Sequence, residues 1–337
     1  MITTFFKIRL FPKSVVLIYL NIRGKKMRFS NNRAFLFAVS LIYIIWMPLV
    51  IASEAEDAFK QAMTYYNQKD FAQAKTWYDK AASQKHAEAQ YYLGLMYDNG
   101  KGVPQDFINA VQWYHKAAMQ GHIKAQRLMG TMYRDGKGVP KNLVKAKKWY
   151  QKAADQGFAQ AQFNLGMMYN YGQGSPRDIP QAELWLRKAA DQGFVLAQYH
   201  LWIMYSDGEG SKDIKQVVAW FSKAAAQGNS AAQGFLGLMY FQGEGVAKDL
   251  AQAAKLYRKA AEQSDFAAQY NVGMMYEKGL GIPQNLVLSY QWYSISAAQK
   301  NEESIAALDK LKTQLSPEQI AEGKRLADEW TKKHTVK

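Results

Sequence analysis

The hydrophobic and polar positions of this chain recur at a nearly constant spacing. Six Met-Tyr pairs are 36 residues apart, except for one interval of 35 residues between Tyr205 and Tyr240. Around each pair, apolar residues recur at helical spacing, as in Leu93, Met96 and Tyr97. Tandem duplication of a helical unit produces such a pattern, and stacking of neighbours then buries the apolar faces. The six tyrosines are Tyr97, Tyr133, Tyr169, Tyr205, Tyr240 and Tyr276.

Each repeated unit is predicted to contain two helices. A Gly-x-Gly follows every Met-Tyr pair and ends the first helix, because glycine tolerates a positive φ. After the loop, Asp106 or Asn142 is placed to cap the second helix, and a glycine such as Gly121 ends it. The Trp, Tyr, Met and Ala positions shared by all units are interpreted as core. The pattern therefore predicts an all-α fold, an α-solenoid of tandem helix-turn-helix repeats.

The shared signature runs A-x-A-Q-x-x-L-G-x-M-Y-x-x-G-x-G-V-x-x-D, followed by A-x-x-W-Y-x-K-A-A-x-Q-G. It resembles the Sel-one-like repeat (SLR) family, a relative of the tetratricopeptide repeat with a longer loop between its helices. Residues 87–106 match almost completely, and the resemblance covers about residues 54–337. It implies a right-handed superhelix and a scaffold or adaptor role, often in exported bacterial proteins of signalling or host contact. No catalytic residue and no cofactor accompany the motif.

The chain is expected to have four parts. Residues 1–52 form an N-terminal extension with a signal peptide, and residues 53–86 form a tetratricopeptide-like hairpin that lacks the Gly-x-Gly. Residues 87–300 hold six Sel-one-like repeats, and residues 301–337 are C-terminal capping helices. Within this last part, Ser316 followed by proline is a typical helix start.

The apolar run of residues 34–51 is typical of an export signal. It contains no charge, follows the basic stretch MRFSNNR and precedes the acidic stretch SEAED. We expect cleavage near Ala52 and a periplasmic or secreted product; the chain starts at Met1 or, more naturally for a signal, at Met27. The alternative is an uncleaved inner-membrane anchor, which also leaves the repeats outside because the basic flank stays inside.

Composition removes several classes of chemistry. The net charge is +15, but the first 52 residues hold eight basic residues and no acid, so the remainder carries +7 spread along the chain. A solvated surface explains this better than a nucleic-acid site, which should be clustered. The chain has no cysteine, and its five histidines show no ligand or triad spacing. We therefore expect no catalytic residues, metal or cofactor.

Partner specificity should come from positions that vary between units but point the same way. By resemblance to tetratricopeptide repeats, the first helices line a concave face, which suits a peptide or partner helix and, less well, a sugar polymer. The alternative is that these side chains only pack between neighbouring first helices. The predicted binding residues are Tyr91, Arg127, Phe163, Tyr199 and Tyr270, with Arg134 and Phe241 one turn further on.

One unit departs from the pattern at two positions. Trp202 replaces the glycine of L-G-x-M-Y, and Val217 replaces the alanine that we expect this glycine to meet, Ala182 in the preceding unit. One hypothesis is that its two helices are further apart and bend the superhelix locally. The other is that Trp202 simply turns outward.

Two functions from different classes follow. The favoured one is an exported scaffold that binds a protein or peptide, without nucleic acid and with a membrane only through an uncleaved anchor. The alternative is a hydrolase acting on cell-wall or β-lactam substrates, as credited to some cysteine-rich SLR relatives. This chain lacks the cysteine pairs of that group.

Overall fold

The structure, a computed structural model, describes residues 6–10, 16–22, 25–29 and 54–334. The predicted signal segment and its cleavage position near Ala52 lie outside these residues. Among the described helices, none is both long and apolar enough to cross a membrane.

Three short strands precede the repeats: β1 (Phe6–Leu10), β2 (Val16–Ile22) and β3 (Lys25–Phe29). They form an antiparallel sheet in the order β1-β2-β3, with Ile8 opposite Ile18. No strand is expected here from the sequence, so the all-α prediction holds for residues 54–334 and not for these three segments. The β-branched and aromatic residues of VLIYLNI favour an extended chain.

Sixteen helices make up residues 54–334, which contain no strand. Their consecutive pairing confirms the all-α solenoid class for the repeats. They are α1 (residues 54–67), α2 (Phe71–Ser83), α3 (Ala87–Asn99), α4 (Phe107–Met119), α5 (Ile123–Asp135), α6 (Leu143–Asp155), α7 (Ala159–Asn170), α8 (Ile179–Asp191), α9 (Val195–Ser206), α10 (Ile214–Ala226), α11 (Ser230–Gln242), α12 (Leu250–Ala261), α13 (Phe266–Lys278), α14 (Leu286–Ala298), α15 (Glu302–Lys312) and α16 (Pro317–His334).

The chain forms two compact units, residues 1–141 and residues 142–337. The first holds the sheet and α1–α5, and its core includes Tyr78 and Leu93 from the first two hairpins. The second holds α6–α16, in which successive hairpins share buried side chains from α8 to α16. Each hairpin thus gains its stability by covering the next one.

The loops follow the predicted chemistry of caps and glycines. The Asp106 carboxylate accepts from the backbone N–H of Asn109 at 3.0 Å at the start of α4. At Gly174 the backbone has a φ of +75°, and a Cβ there would lie only 2.5 Å from the Leu143 carbonyl oxygen. The second glycine of this loop is therefore required both for its φ and for the close approach to the start of α6.

A buried glutamine joins three helices in most hairpins. Gln162, the glutamine of A-x-A-Q in α7, donates from Nε2 to the carbonyl of Ala154 at the end of α6, at 3.2 Å. Its Oε1 accepts from Nε2 of Gln192, the C-cap of α8, at 2.7 Å. We call this pair of hydrogen bonds the glutamine bridge. The same bridge is made by Gln90, Gln233 and Gln269.

The glycine of L-G-x-M-Y packs against an aromatic ring and not, as expected, chiefly against an alanine. A Cβ at Gly237 would lie 3.0 Å from the Tyr257 ring, and one at Gly273 would lie 2.6 Å from the Tyr293 ring. In these two hairpins the expected alanine is not the nearest neighbour, because the second aromatic of the Trp-Tyr dyad points inward at this level. In the α7–α8 hairpin a leucine, Leu186, takes the same place, and the predicted Ala182 is also in contact, with its carbonyl oxygen 3.2 Å from a Cβ at Gly166.

The irregular hairpin α9–α10 is confirmed as different. Trp202 is only 8% exposed and Val217 is fully buried, so the prediction that Trp202 turns outward is wrong. The two helices are in much less extensive contact than α7 with α8 or α11 with α12. A large indole in place of a hydrogen atom explains the wider separation. A bend of the superhelix at this hairpin stays a prediction.

Candidate binding surface

The first helices of the second unit share an almost uncharged surface. In α7, α9, α11 and α13 the only charged residues are Glu277 and Lys278, both in the last turn of α13. The intervening second helices carry most of the lysines and acids, as in Lys255, Arg258 and Lys259 of α12. We call the side formed by α7, α9, α11 and α13 the first-helix surface. Counting charges helix by helix would have found it from the sequence.

Aromatic rings connect neighbouring helices of this surface. The rings of Tyr199 in α9 and Phe235 in α11 stack with centroids 4.4 Å apart and planes at 19°. The Phe163 ring in α7 lies 5.5 Å from the His200 ring in α9. All four side chains are half-buried, so each ring both packs against a neighbour and borders solvent. Phe235 and His200 were missed, because they stand one residue after the positions selected for variability.

A notch interrupts the row between two tyrosines. Gly234 of α11 stands at the repeat position that Tyr199 occupies in α9 and Tyr270 in α13. A Cβ at Gly234 would have no neighbour within 4 Å, so there is open space at this point. Tyr270 is half-buried, and its ring lies 5.6 Å from that of Tyr293.

His200, the histidine of this surface, is held in a neutral state by its surroundings. Burial lowers the pKa of the His200 imidazole below its usual 6.5, since an imidazolium would lose hydration there. Phe241, the other predicted residue of this unit, lies at the end of α11, where the Lys248 ammonium is 5.9 Å from its ring. Phe241 therefore lies beside a charge, at the margin of the neutral area.

The remaining predicted residues belong to the first unit. Tyr91 is half-buried and stacks on the His122 ring at 4.6 Å, and burial raises the pKa of its hydroxyl. Arg127 is half-buried, and its Nε is buried without a hydrogen-bond partner among the residues that the structure describes. Arg134 pairs with the neighbouring Asp135 at 2.7 Å. These three residues belong to the first unit, whereas the first-helix surface belongs to the second.

Two histidines of the first unit have structural roles as helix caps. His86 and His122 cap α3 and α5 through Nδ1, which accepts from a backbone N–H, and their Nε2 atoms lie 3.1 Å from Glu56 and 2.8 Å from Glu88. No group of three or more His, Cys, Asp or Glu able to hold a metal occurs in the part of the chain that the structure describes.

The comparison with protein families agrees with the repeat geometry. The model of the Sel1 repeat matches seven segments: residues 65–86, 87–122, 123–158, 159–194, 195–229, 230–265 and 266–301. The chain belongs to the Sel1 repeat family. The resemblance to Sel-one-like repeats is thereby confirmed. Sel1 repeat proteins are typically scaffolds for protein–protein interaction, and generally non-catalytic.

Several solved structures are similar to this chain. A Sel1 repeat protein from Oxalobacter formigenes is 34% identical, with a TM-score of 0.62 over 71% of this chain and 96% of that one. A protective antigen of uropathogenic Escherichia coli that displays an SLR fold is 29% identical, with a TM-score of 0.45 over 83% of this chain and 69% of that one. An immunity protein from Pseudomonas aeruginosa is 24% identical, with a TM-score of 0.42 over 65% of this chain and 83% of that one. No curated protein matched the chain.

Proposed function

We propose that this Sel1 repeat chain is an exported, non-catalytic scaffold that binds a protein or peptide on its first-helix surface. The observation that carries the proposal is the run of four successive first helices with half-buried aromatic rings and almost no charge. Aromatic rings supply large contact areas at a low cost in side-chain entropy. Because this surface holds almost no charge, few charged groups on it have to be removed from water when a partner binds. The role would be in envelope signalling, envelope assembly or host interaction.

The notch at Gly234 indicates how such a partner would be held. Gly234 stands at the repeat position that Tyr199 and Tyr270 occupy in the preceding and following first helices, and the space beside it is open. An apolar or aromatic side chain of an extended segment or a helix would enter this space. Contacts that fill a pocket beside aromatic rings contribute most of the binding energy in protein interfaces.

Site-specific photo-crosslinking tests the surface. Benzoylphenylalanine is introduced into the full-length chain at position 199 or 270 in its native cells, and at position 184 of α8 as control. Leu184 is an exposed hydrophobic residue on a second helix, 44% exposed. We expect one protein adduct at 199 and 270, absent at 184. Tyr199→Ala combined with Tyr270→Ala should abolish its co-purification, whereas Leu184→Ala should not. Equal adducts at all three positions would contradict the proposal.

Export is proposed from the apolar run of residues 34–51 and its basic and acidic flanks. Cell fractionation combined with N-terminal sequencing tests it. Cleavage predicts a periplasmic or secreted chain that begins at Ser53, and an anchor predicts a membrane-bound chain with protease-accessible repeats outside. Recovery of the chain from the cytoplasm refutes both.

The absence of catalysis is also part of the proposal. The purified full-length chain is incubated with peptidoglycan fragments and with β-lactams, and product formation is followed by mass spectrometry. We expect no turnover. Turnover that a single point substitution abolishes would establish a hydrolase instead.

A further inference from the structure

The glutamine bridge is broken in the irregular hairpin. Gln198 of α9 is 2% exposed, and its Nε2 donates to the carbonyl of Ala190 at 3.1 Å, as in the other hairpins. Its Oε1, however, is buried without a hydrogen-bond partner among the described residues. The residue that should donate is Gln227, the C-cap of α10. Because Trp202 and Val217 hold α9 and α10 apart, Gln227 does not make this contact.

A cavity lies at the point where the bridge is broken. Its volume is about 460 Å³, and it lies between the turn that joins α8 to α9 and the C-terminal half of α10. Gln198 and Gln227 both line it, together with Asp191, Trp220, Lys223 and Asn229. Cavities of roughly 300–1,000 Å³ with a few convergent polar groups are typical of ligand sites. The lining belongs to α8–α11 within the second unit.

The tryptophan of this hairpin is also held differently. In the preceding hairpin the Lys188 ammonium lies 3.9 Å from the centre of the Trp185 ring. The Trp220 indole N–H instead donates to the Asp191 carboxylate at 3.0 Å, across the cavity wall from α10 to the end of α8. This hydrogen bond engages one oxygen of the Asp191 carboxylate, and the Lys223 ammonium, which also lines the cavity, repels a cationic ligand.

We propose that this cavity binds a primary carboxamide, the side chain of a glutamine or asparagine in a peptide segment, which donates to Oε1 of Gln198 once the groups that cover this oxygen in the unbound structure move aside. The repeat itself shows which group fits the acceptor. At Gln162, Gln233 and Gln269 the same oxygen accepts from a glutamine Nε2 at 2.7–2.9 Å. A carboxamide also carries an acceptor oxygen for Lys223 or Asn229 and no charge to desolvate. This site is separate from the first-helix surface, and the inference does not depend on the proposed function.

Nuclear magnetic resonance on the full-length chain tests the site. The Trp220 indole N–H signal, assigned from Trp220→Phe, reports on the cavity. The probes are two blocked tripeptides, N-acetyl-glycyl-X-glycine N-methylamide, with X either glutamine or methionine. The methylamide end avoids a second primary carboxamide. We expect a saturable shift with the glutamine peptide, at least about fivefold tighter than with the methionine peptide, the factor of one net hydrogen bond.

Three variants connect binding to the broken bridge. Gln198→Met should abolish the shift, whereas Gln269→Met, at an oxygen that is already occupied, should leave it unchanged. Ala219→Phe places a ring on the exposed cavity wall without altering Gln198, and it should also abolish binding with unchanged helical circular dichroism. Equal affinities for the two peptides, no shift at all, or full binding by Ala219→Phe would overturn the proposal and leave a cavity filled by solvent alone.

Discussion

The close contact between glycine and tyrosine predicts opposite effects for the same substitution at two helix positions. Gly273 of α13 and Gly234 of α11 are both helical glycines of first helices in the second unit. A Cβ at Gly273 would lie 2.6 Å from Cδ1 and 2.8 Å from Cε1 of Tyr293, whereas one at Gly234 would meet nothing within 4 Å. Gly273→Ala should therefore destabilise the fold, and Gly234→Ala should stabilise it.

The magnitudes follow from how firmly the tyrosine is held. Carbon atoms pack at about 3.5–4.0 Å, so the Tyr293 ring would have to move by about 1 Å. The ring is 1% exposed, and its hydroxyl donates to the Glu277 carboxylate at 2.7 Å. Overpacking of this kind costs about 1–3 kcal/mol, and the higher helix propensity of alanine offsets about 0.5–1 kcal/mol. At Gly234 only the favourable propensity remains, so Gly234→Ala should gain about 0.5–1 kcal/mol.

Urea denaturation of the full-length variants, followed by circular dichroism, measures both free energies of unfolding. Hydrogen exchange then locates the effect, because repeat arrays need not unfold in a single step. Faster exchange in α13 and α14 is expected for Gly273→Ala, with no such change for Gly234→Ala. A change of the same sign and size for both variants would show that intrinsic propensity, and not the contact with Tyr293, sets the requirement for glycine.

Three further predictions concern buried side chains of the second unit. Gln269→Met removes two hydrogen bonds and should lower the free energy of unfolding by about 1–3 kcal/mol. Gln198→Met removes one hydrogen bond together with an unpaired acceptor, so it should lower that free energy by about 1 kcal/mol or less. Equal losses for the two variants in urea titration would refute this difference. Trp202→Gly restores the glycine of the family signature, yet it should lower the stability of the fold by about 3–5 kcal/mol because it leaves a void beside Val217. An unchanged melting temperature in thermal unfolding would refute this. Because burial lowers the folded-state pKa of His200 below 6.5, the unfolded chain binds more protons below that pH, and the free energy of unfolding should decrease as the pH falls below 6.5. His200→Phe should make the free energy of unfolding depend less steeply on pH in this range. An unaltered dependence on pH would contradict this prediction.

Local patterns sufficed for the helices and their ends. The Met-Tyr spacing, the capping Asp106 and the positive φ of Gly174 depend on residues close in the chain, and the structure has them as predicted. The strands at residues 6–10, 16–22 and 25–29 were not predicted, although their β-branched residues are a local signal. The binding residues stay a prediction: Tyr91 and Tyr199 are half-buried and in ring contact with neighbouring helices, which fits both packing and binding.

By itself, then, the sequence determined the family, the helical hairpins and the places where each helix begins and ends, because these depend on short-range preferences repeated many times. Only the tertiary structure decided that Trp202 is buried, that Gly273 faces a tyrosine, and that Gln198 lacks its donor. These outcomes depend on how closely two helices approach each other. That distance is set by side chains about 15–30 residues apart in the chain, such as Trp202 with Val217 and Gln198 with Gln227.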